Sequence, residues 1–520
     1  MEYVYMNLFR KKTNRMKKIF TYAISLLLVA GGVVGCNMEP KLTHNIPVEQ
    51  STASVQDVNN ILTGALNQFG SYRFVGRNLI ALSDMASDIS LYGPSSGHFK
   101  SINLWTFDDG DQYLNEIYTS GYVIADACTR GIIGADKLIA ERNEKMNSAD
   151  EATKETLANE IASLKSIKAE LLSLKGMTYF YLVNIFGKAY SPEHAGGYGL
   201  VLIKDELIKP KEKVTRASLQ ETYDYIIKLF EESLALPCTE KRAIYPNPLN
   251  TKAFLARTYL YMGNWQKAAE ISAELIGSGV FPTKPGNAQS YAYHWNSTAI
   301  GDEDLFSLLK SDQDNLSAKS LNGLYGDYKA TLNPVMVKTY FKHEEKKQID
   351  GKDTTVWVPN NDYRFNLITE KSKELATPHP MKFDGMASNS NLTNIPVMRV
   401  SELYLIAAEA NAQLGNVAEA QKALFFTASR NADVTAADKL PAGKDELLQY
   451  IAAERVREFF QEGHRYFDLR RTGATAKIAG DPDFKFYNFV YPIPRSEINA
   501  GYLDKQYQND DWKNNLPKRK

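Results

Sequence analysis

Residues 403–424 read LYLIAAEANAQLGNVAEAQKAL, and residues 253–275 read AFLARTYLYMGNWQKAAEISAEL. Aligned on their glycines, the two agree in register: a periodic apolar run, then Gly415-Asn416 or Gly263-Asn264, then a second amphipathic run. An alanine stands at the same distance past each glycine, Ala420 and Ala268. Apolar residues returning every three to four positions mark one face of a helix. Glycine ends a helix in the left-handed conformation at no Cβ cost, and small side chains let two helices approach closely. Each stretch therefore predicts two helices folded back on one another.

Such a unit resembles a tetratricopeptide helical hairpin. Ile167 to Phe186, closed by Gly187, reads as the first helix of a further pair, and Ser218 to Leu236 as a second helix. The units are not contiguous. Tyr72 to Asp109 and Pro282 to Asn394 interrupt them with irregular sequence rich in Gly, Asn, Ser, Asp, Tyr and Trp, too long for idle connections. Asp304 to Leu309 and Thr354 to Val358 alternate as minor strands do. The fold class expected is mainly α, with a scaffold of tetratricopeptide-like hairpins and long inserts carrying minor β-strands.

The amino-terminal segment reads differently. Lys17 and Lys18 precede an apolar run from Ile19 to Ala30, which closes on Val33, Val34, Gly35 and Cys36. A basic start, an apolar middle and small residues before a cysteine form a bacterial lipoprotein signal in which the thiol marks cleavage. Residues 1–35 are thus expected to be a signal peptide, with Met16 an alternative translation start, and Cys36 the lipidated residue. Residues 36–51, polar and holding Pro40 and Pro47, read as a tether, and 52–520 as one domain. Within it the helical-repeat half covers about 110–280 and 395–470, and the ligand-loop inserts about 72–109 and 282–394.

Composition limits the function. Lys plus Arg (61) balance Asp plus Glu (61), so no global basic field exists to hold nucleic acid. With three cysteines in all, a disulfide-stapled scaffold is excluded; Cys128 and Cys238 read as buried thiols, a mutual bridge being the lesser alternative. No His-Glu-x-x-His helix, phosphate-binding Gly-Lys-Ser/Thr loop or paired Cys-x-x-Cys occurs, so metal hydrolysis and nucleotide use lack support and no cofactor is expected. Gly93-Pro94-Ser95-Ser96-Gly97 matches a nucleophile elbow in letters, but Pro94 and the polar run to His98 read as a loop. Asp108, Asp109, Asp111 and Glu116 do not reproduce a calcium loop and read as a solvated acidic turn. Glu454, Glu458 and Glu462 recur at four-residue spacing among Arg455, Arg465, Asp468, Arg470 and Arg471. Interleaved charges of this kind usually form structural ion pairs, so a glycosidase pair is the weaker reading. Arg399 and Glu402 are placed to anchor a helix start, where a carboxylate favours exposed amides.

Segments across nearly all of 52–520 resemble the SusD/RagB family of outer-membrane nutrient-binding lipoproteins, in family order. They are LKGMTYFYLVNIFG (174–187), RASLQETYDYII (216–227), Asn250 to Trp265, Asp362-Tyr363-Arg364 and IPVMRVSELYLIAAEA (395–410). ERVREFFQEGHRYFDLRR (454–471) and YPIPRSEI (491–498), followed by Gln508 and Asn509, complete the set. Tyr113 to Asp126 fits the pattern only loosely. The resemblance implies a helical scaffold, an irregular half carrying ligand loops, and a TonB-dependent, SusC-like β-barrel transporter as partner.

Sugars present C–H faces that lie on aromatic rings, while their hydroxyls take hydrogen bonds from polar side chains. Tyr291, Tyr293, His294 and Trp295 cluster in the second insert, and Tyr72, Phe74, Tyr92, His98 and Phe99 in the first. Asn296, Asn322, Tyr325 and Tyr328 are polar partners in reach by sequence. Tyr92, Tyr291, Tyr293, Trp295, Asn296 and Tyr325 are the candidate ligand contacts, with core packing equally open for Trp295 and its neighbours. Trp265 sits at a repeat position and reads as packing. The expected protein is a non-enzymatic lipoprotein, anchored in the outer membrane and facing outward, that binds an oligosaccharide, or less favourably a peptide. A lipid-anchored glycoside hydrolase and a tetratricopeptide envelope adaptor are the alternatives.

Overall fold

The computed structural model describes residues 52–209, 212–350, 352–369, 378–383, 392–478 and 481–512. The signal peptide, Cys36 and the tether lie outside the described residues. Both quoted hairpins form. The first pairs α6 (Pro248–Tyr261) with α7 (Trp265–Gly277), and the second pairs α9 (Val400–Leu414) with α10 (Val417–Ala428); the intervening elements follow below. Gly263 (φ +70°) and Gly415 (φ +82°) adopt the left-handed conformation that the turn requires. Ala268 and Ala420, the register-matched alanines, are fully buried where the paired helices meet.

Besides the short helix Lys100–Asn103, the described residues before the first hairpin form α1 (Val55–Phe69), α2 (Asn78–Ala86), α3 (Gln112–Met146), α4 (Glu151–Phe186) and α5 (Leu219–Ala235). Side chains signal their starts: Asp111 and Asp150 cap α3 and α4, and Ser218 with Glu221 forms a capping box on α5. α4 begins well before Ile167, because Glu151 to Ile161 continues the helix with a largely exposed, charged face. α3 packs along α4 over much of its length, at closest approach on glycine. A Cβ at Gly121 would stand 2.7 Å from the Leu182 side chain, so any larger residue there requires that side chain to shift.

The first insert is far less irregular than its composition suggests. All nine residues of α2 are buried, and Phe74, Val75, Phe99 and Ile102 join the main core. Its glycines and polar residues mark tight turns around inward side chains rather than a solvent-exposed loop. After α8 (Ala288–Trp295) the second insert supplies short strands, of which β2 (Asp304–Leu308) pairs antiparallel with β6 (Ile395–Arg399), both wholly buried. β1 (Ser90–Leu91) pairs with β3 (Thr331–Leu332) and so ties the two inserts together. β4 (Lys342–Ile349) and β5 (Lys352–Pro359) make a longer hairpin that contains the expected Thr354–Val358 strand.

The chain closes on α11 (Lys444–Phe459) and α12 (Arg465–Thr472). One continuous apolar core runs from α1 to the C-terminal segment, and a smaller one lies among α9, α10 and α11 around Leu405, Leu424, Leu447 and Ile451. Between the scaffold and the second insert sits a dry charged layer. Arg364 donates to Asp362, Glu454 and Glu458; Arg399 pairs with Glu458 and Glu462; Arg430 with Glu303 and Glu458; Lys382 with Glu462. The acidic series is therefore structural, as its interleaving with arginines suggested. Glu462 departs from the expected single helical face, since α11 ends at Phe459 and Glu462 reaches Arg399 from the following turn. Glu402 does not serve the amides of α9 either: it is buried in a pair with Arg257, Oε1 2.7 Å from Nε.

Cys128 and Cys238 are free thiols, and only Cys128 is fully buried, where desolvation pushes its thiol up to about 12. Arg495 pairs with Asp108 and Asp109, while Asp111 is engaged as the α3 cap. Gly93–Gly97 is a surface turn in which the Ser96 hydroxyl donates to the Tyr328 carbonyl at 2.8 Å.

Candidate ligand-binding surface

Helical geometry divides the aromatic cluster of the second insert. Residues four apart on a helix share a face, and Tyr291 and Trp295 are both turned inward on α8, at 5% and 0% exposure. Trp295 packs edge-to-face on Phe383 at 5.2 Å, with the Lys382 ammonium 4.5 Å over its ring. It is a core residue, and its ring offers no face to a ligand. Tyr325 is likewise buried, its hydroxyl 2.8 Å from Ser90 Oγ, where it helps to join the inserts. Asn296 caps the end of α8 and donates to the Ala292 carbonyl, and Tyr92 is half-buried against the core. Of the six nominated residues, Tyr293 alone stands mostly exposed, at 64%. It lines a cavity of 280 Å³ with Pro282, Lys284, His294, Glu303 and Arg399.

The two inserts converge elsewhere, on a different group of side chains. Beside β1–β3 the chain passes so close that a Cβ on Gly93 would come within 2 Å of the Tyr328 carbonyl oxygen. This approach sets the His98 ring on the Tyr328 ring at 3.9 Å between centroids. Tyr72 lies half-buried in the same insert pair, with Lys319 4.3 Å over its ring and Arg73 and Arg77 at 5.0 and 5.1 Å. Arg77 is buried and held by Asn78 Oδ1 at 3.0 Å, and Asn78 is held in turn by Glu116. Arg73 and Lys319 are exposed. Burial, seconded by the charge of Arg77, holds His98 below the ordinary histidine value, so its ring is neutral at pH 7.

The result is a surface of three half-buried rings, Tyr72, His98 and Tyr328, bordered by mobile-stemmed cationic donors on a rigid base. Apolar faces beside hydrogen-bond donors suit polyhydroxylated ligands. The three glutamates that suggested a glycosidase are buried elsewhere, and each is paired with arginine or lysine. Tyr72, His98 and Tyr328 were visible in the sequence as members of a pool. Their pairing across the two inserts, and the part of Arg73, Arg77 and Lys319, was not.

Family comparison agrees with this architecture. Residues 380–512 match the model of the SusD family, and residues 48–260 match one described as "Starch-binding associating with outer membrane". SusD-like protein P2 of Formosa agariphila is 22% identical over 94% of this chain and 96% of its own length. Among solved structures, a SusD superfamily protein of Bacteroides vulgatus superposes with TM-score 0.68 at 24% identity, covering 88% of this chain and 99% of that one. A SusD-like carbohydrate binding protein of the same organism gives 0.69 at 19% identity, covering 88% and 98%. The chain belongs to the SusD/RagB family.

Proposed function

We propose that the protein is a non-enzymatic outer-membrane lipoprotein that captures an oligosaccharide on the surface where the two inserts meet. Cys36 carries the lipid, and the body faces the cell exterior. The observation that carries this reading is the seam of Tyr72, His98 and Tyr328 with Arg73 and Lys319 beside it. The description of the matched family as starch-binding, and of a structural neighbour as carbohydrate binding, supports the ligand class. No helix among the described residues is long and apolar enough to cross a membrane, which fits an anchor supplied by lipid.

The bound sugar is handed to a TonB-dependent, SusC-like β-barrel transporter. A tethered binder beside a pore turns release into an intramolecular step at high effective concentration, so weak capture suffices. The test is calorimetric titration with α-glucan, β-glucan, mannan and galactan oligosaccharides, together with an assay for new reducing ends. Tyr328→Ala is expected to weaken the best ligand by about 1–3 kcal/mol, by analogy with base stacking on aromatic side chains. New reducing ends would move the reading to a glycoside hydrolase. Unchanged affinity in Tyr328→Ala and Tyr72→Ala would remove the seam as the site.

A further inference from the structure

A cavity of 460 Å³ lies away from the inserts, against α3. Tyr118, Tyr122 and Asp126, at successive four-residue steps of α3, share the face that forms its back wall. Ile203, Val214, Tyr502 and Leu503 complete the lining. These walls are fixed to one another. The Tyr122 hydroxyl accepts from the Val201 amide at 3.1 Å and donates to the Val201 carbonyl at 3.2 Å, and the Val214 amide donates to the Tyr502 carbonyl at 2.9 Å.

The lining is mostly apolar and aromatic, with Thr119 and three charged residues, Asp126, Lys209 and Glu497. Glu497, on the short helix Arg495–Ala500, turns its carboxylate into this lining, where it accepts no hydrogen bond and pairs with no cation among the described residues. The other charges are engaged or turned to solvent: Asp126 is bound to Arg130 at 2.6 Å, Arg495 to Asp108 and Asp109, and Lys209, also in the lining, is exposed. Desolvation raises the Glu497 carboxyl above its ordinary value, the expected consequence of an anion in apolar surroundings with no counter-charge. Such a group costs free energy that a bound cation returns. Tyrosine faces attract cations as well, and the volume falls within the range of about 300–1,000 Å³ typical of small-molecule pockets.

We propose that this cavity is a second binding site, for a small organic cation with an apolar body, whose ammonium or guanidinium group pairs with Glu497. The site is independent of the oligosaccharide surface and does not rest on that reading. An oligosaccharide is neutral and broad, whereas this cavity asks for one charge at the end of a compact apolar stem.

Three probes with the same phenol ring and different charge test it: tyramine (cation), tyrosol (neutral) and 4-hydroxyphenylacetate (anion). Each is titrated into the purified full chain at about pH 8, where glutamate is ionised and the amine charged. Tyramine is expected to bind at least tenfold more tightly than tyrosol, with the anion weakest. Glu497→Gln should lower tyramine affinity about tenfold and leave tyrosol unchanged, the size of one charge-assisted interaction. Tyr72→Ala should leave tyramine binding intact, which separates this site from the insert seam. Equal binding of the three probes, no binding by any of them up to about 10 mM, or full tyramine affinity in a folded Glu497→Gln protein would each overturn the proposal. Should Glu497→Gln fail to fold, the charge series on the wild-type chain decides alone.

Discussion

Arg364→Met tests the charged layer on which the second insert is seated. The methionine fills similar volume, so the perturbation is electrostatic rather than a cavity. Arg364 is fully buried and contacts Asp362 at 2.6 Å, Glu454 at 2.7 Å and Glu458 at 2.9 Å. After the substitution Glu454 keeps Arg457 at 2.8 Å, and Glu458 keeps Arg399 at 2.8 Å and Arg430 at 3.0 Å. Asp362 keeps no cation in contact, only the more distant charge of Arg457; its remaining bond is from the residue 364 amide, at 3.0 Å. The loss is therefore one uncompensated buried carboxylate, for which about 3–5 kcal/mol is expected, a large share of the roughly 5–15 kcal/mol that holds a folded domain. Replacing both partners, Asp362→Asn with Arg364→Met, should recover at least half of it, because a buried neutral pair costs less than a buried lone charge.

The pH dependence carries the sign. Burial opposes the charge on Asp362 and Arg364 outweighs it, leaving the carboxyl below its ordinary value; Glu402, Glu458 and Glu462 are depressed likewise by their arginine and lysine partners. These groups give full stabilisation above the ordinary carboxylate range and lose it as pH falls through their depressed values. In Arg364→Met the desolvation remains without the guanidinium, so Asp362 is raised instead. Its penalty is present at neutral pH and disappears as pH falls below the ordinary value, so the two proteins converge in acid. Equilibrium urea unfolding at neutral pH and at about pH 4, read by circular dichroism, measures both. A loss below about 1 kcal/mol, or a double variant no more stable than the single one, would refute the argument.

Trp295→Ala should cost about 3–5 kcal/mol in the same unfolding assay, as a large ring removed from a filled core, and leave oligosaccharide affinity unchanged. Cys36→Ser should abolish labelling by a fatty-acid analogue and release the protein from membranes, read by fractionation. Gentle detergent extraction should recover the lipoprotein with a large β-barrel chain through an interface of roughly 2,000 Å² or more; recovery alone, with the barrel present in the cell, would count against the transporter handover.

The sequence by itself determined the helical hairpins. Gly263, Gly415 and the alanines five residues beyond them encode a local geometry, since a left-handed turn and a close helix contact need only neighbours along the chain. It also determined that the glutamates of 454–462 belong with arginines, because their interleaving is itself a local pattern. Only the tertiary structure decided which aromatic residues face outward. Trp295 and Tyr293 are two residues apart, and the burial of one and exposure of the other depend on how α8 lies against Phe383 and Lys382, residues about ninety positions later. The seam of His98 and Tyr328 depends in the same way on a β1–β3 ladder that joins residues far apart in the chain. Composition identifies segments rich in rings and polar groups; the direction of each ring is set by long-range packing, which no local pattern records.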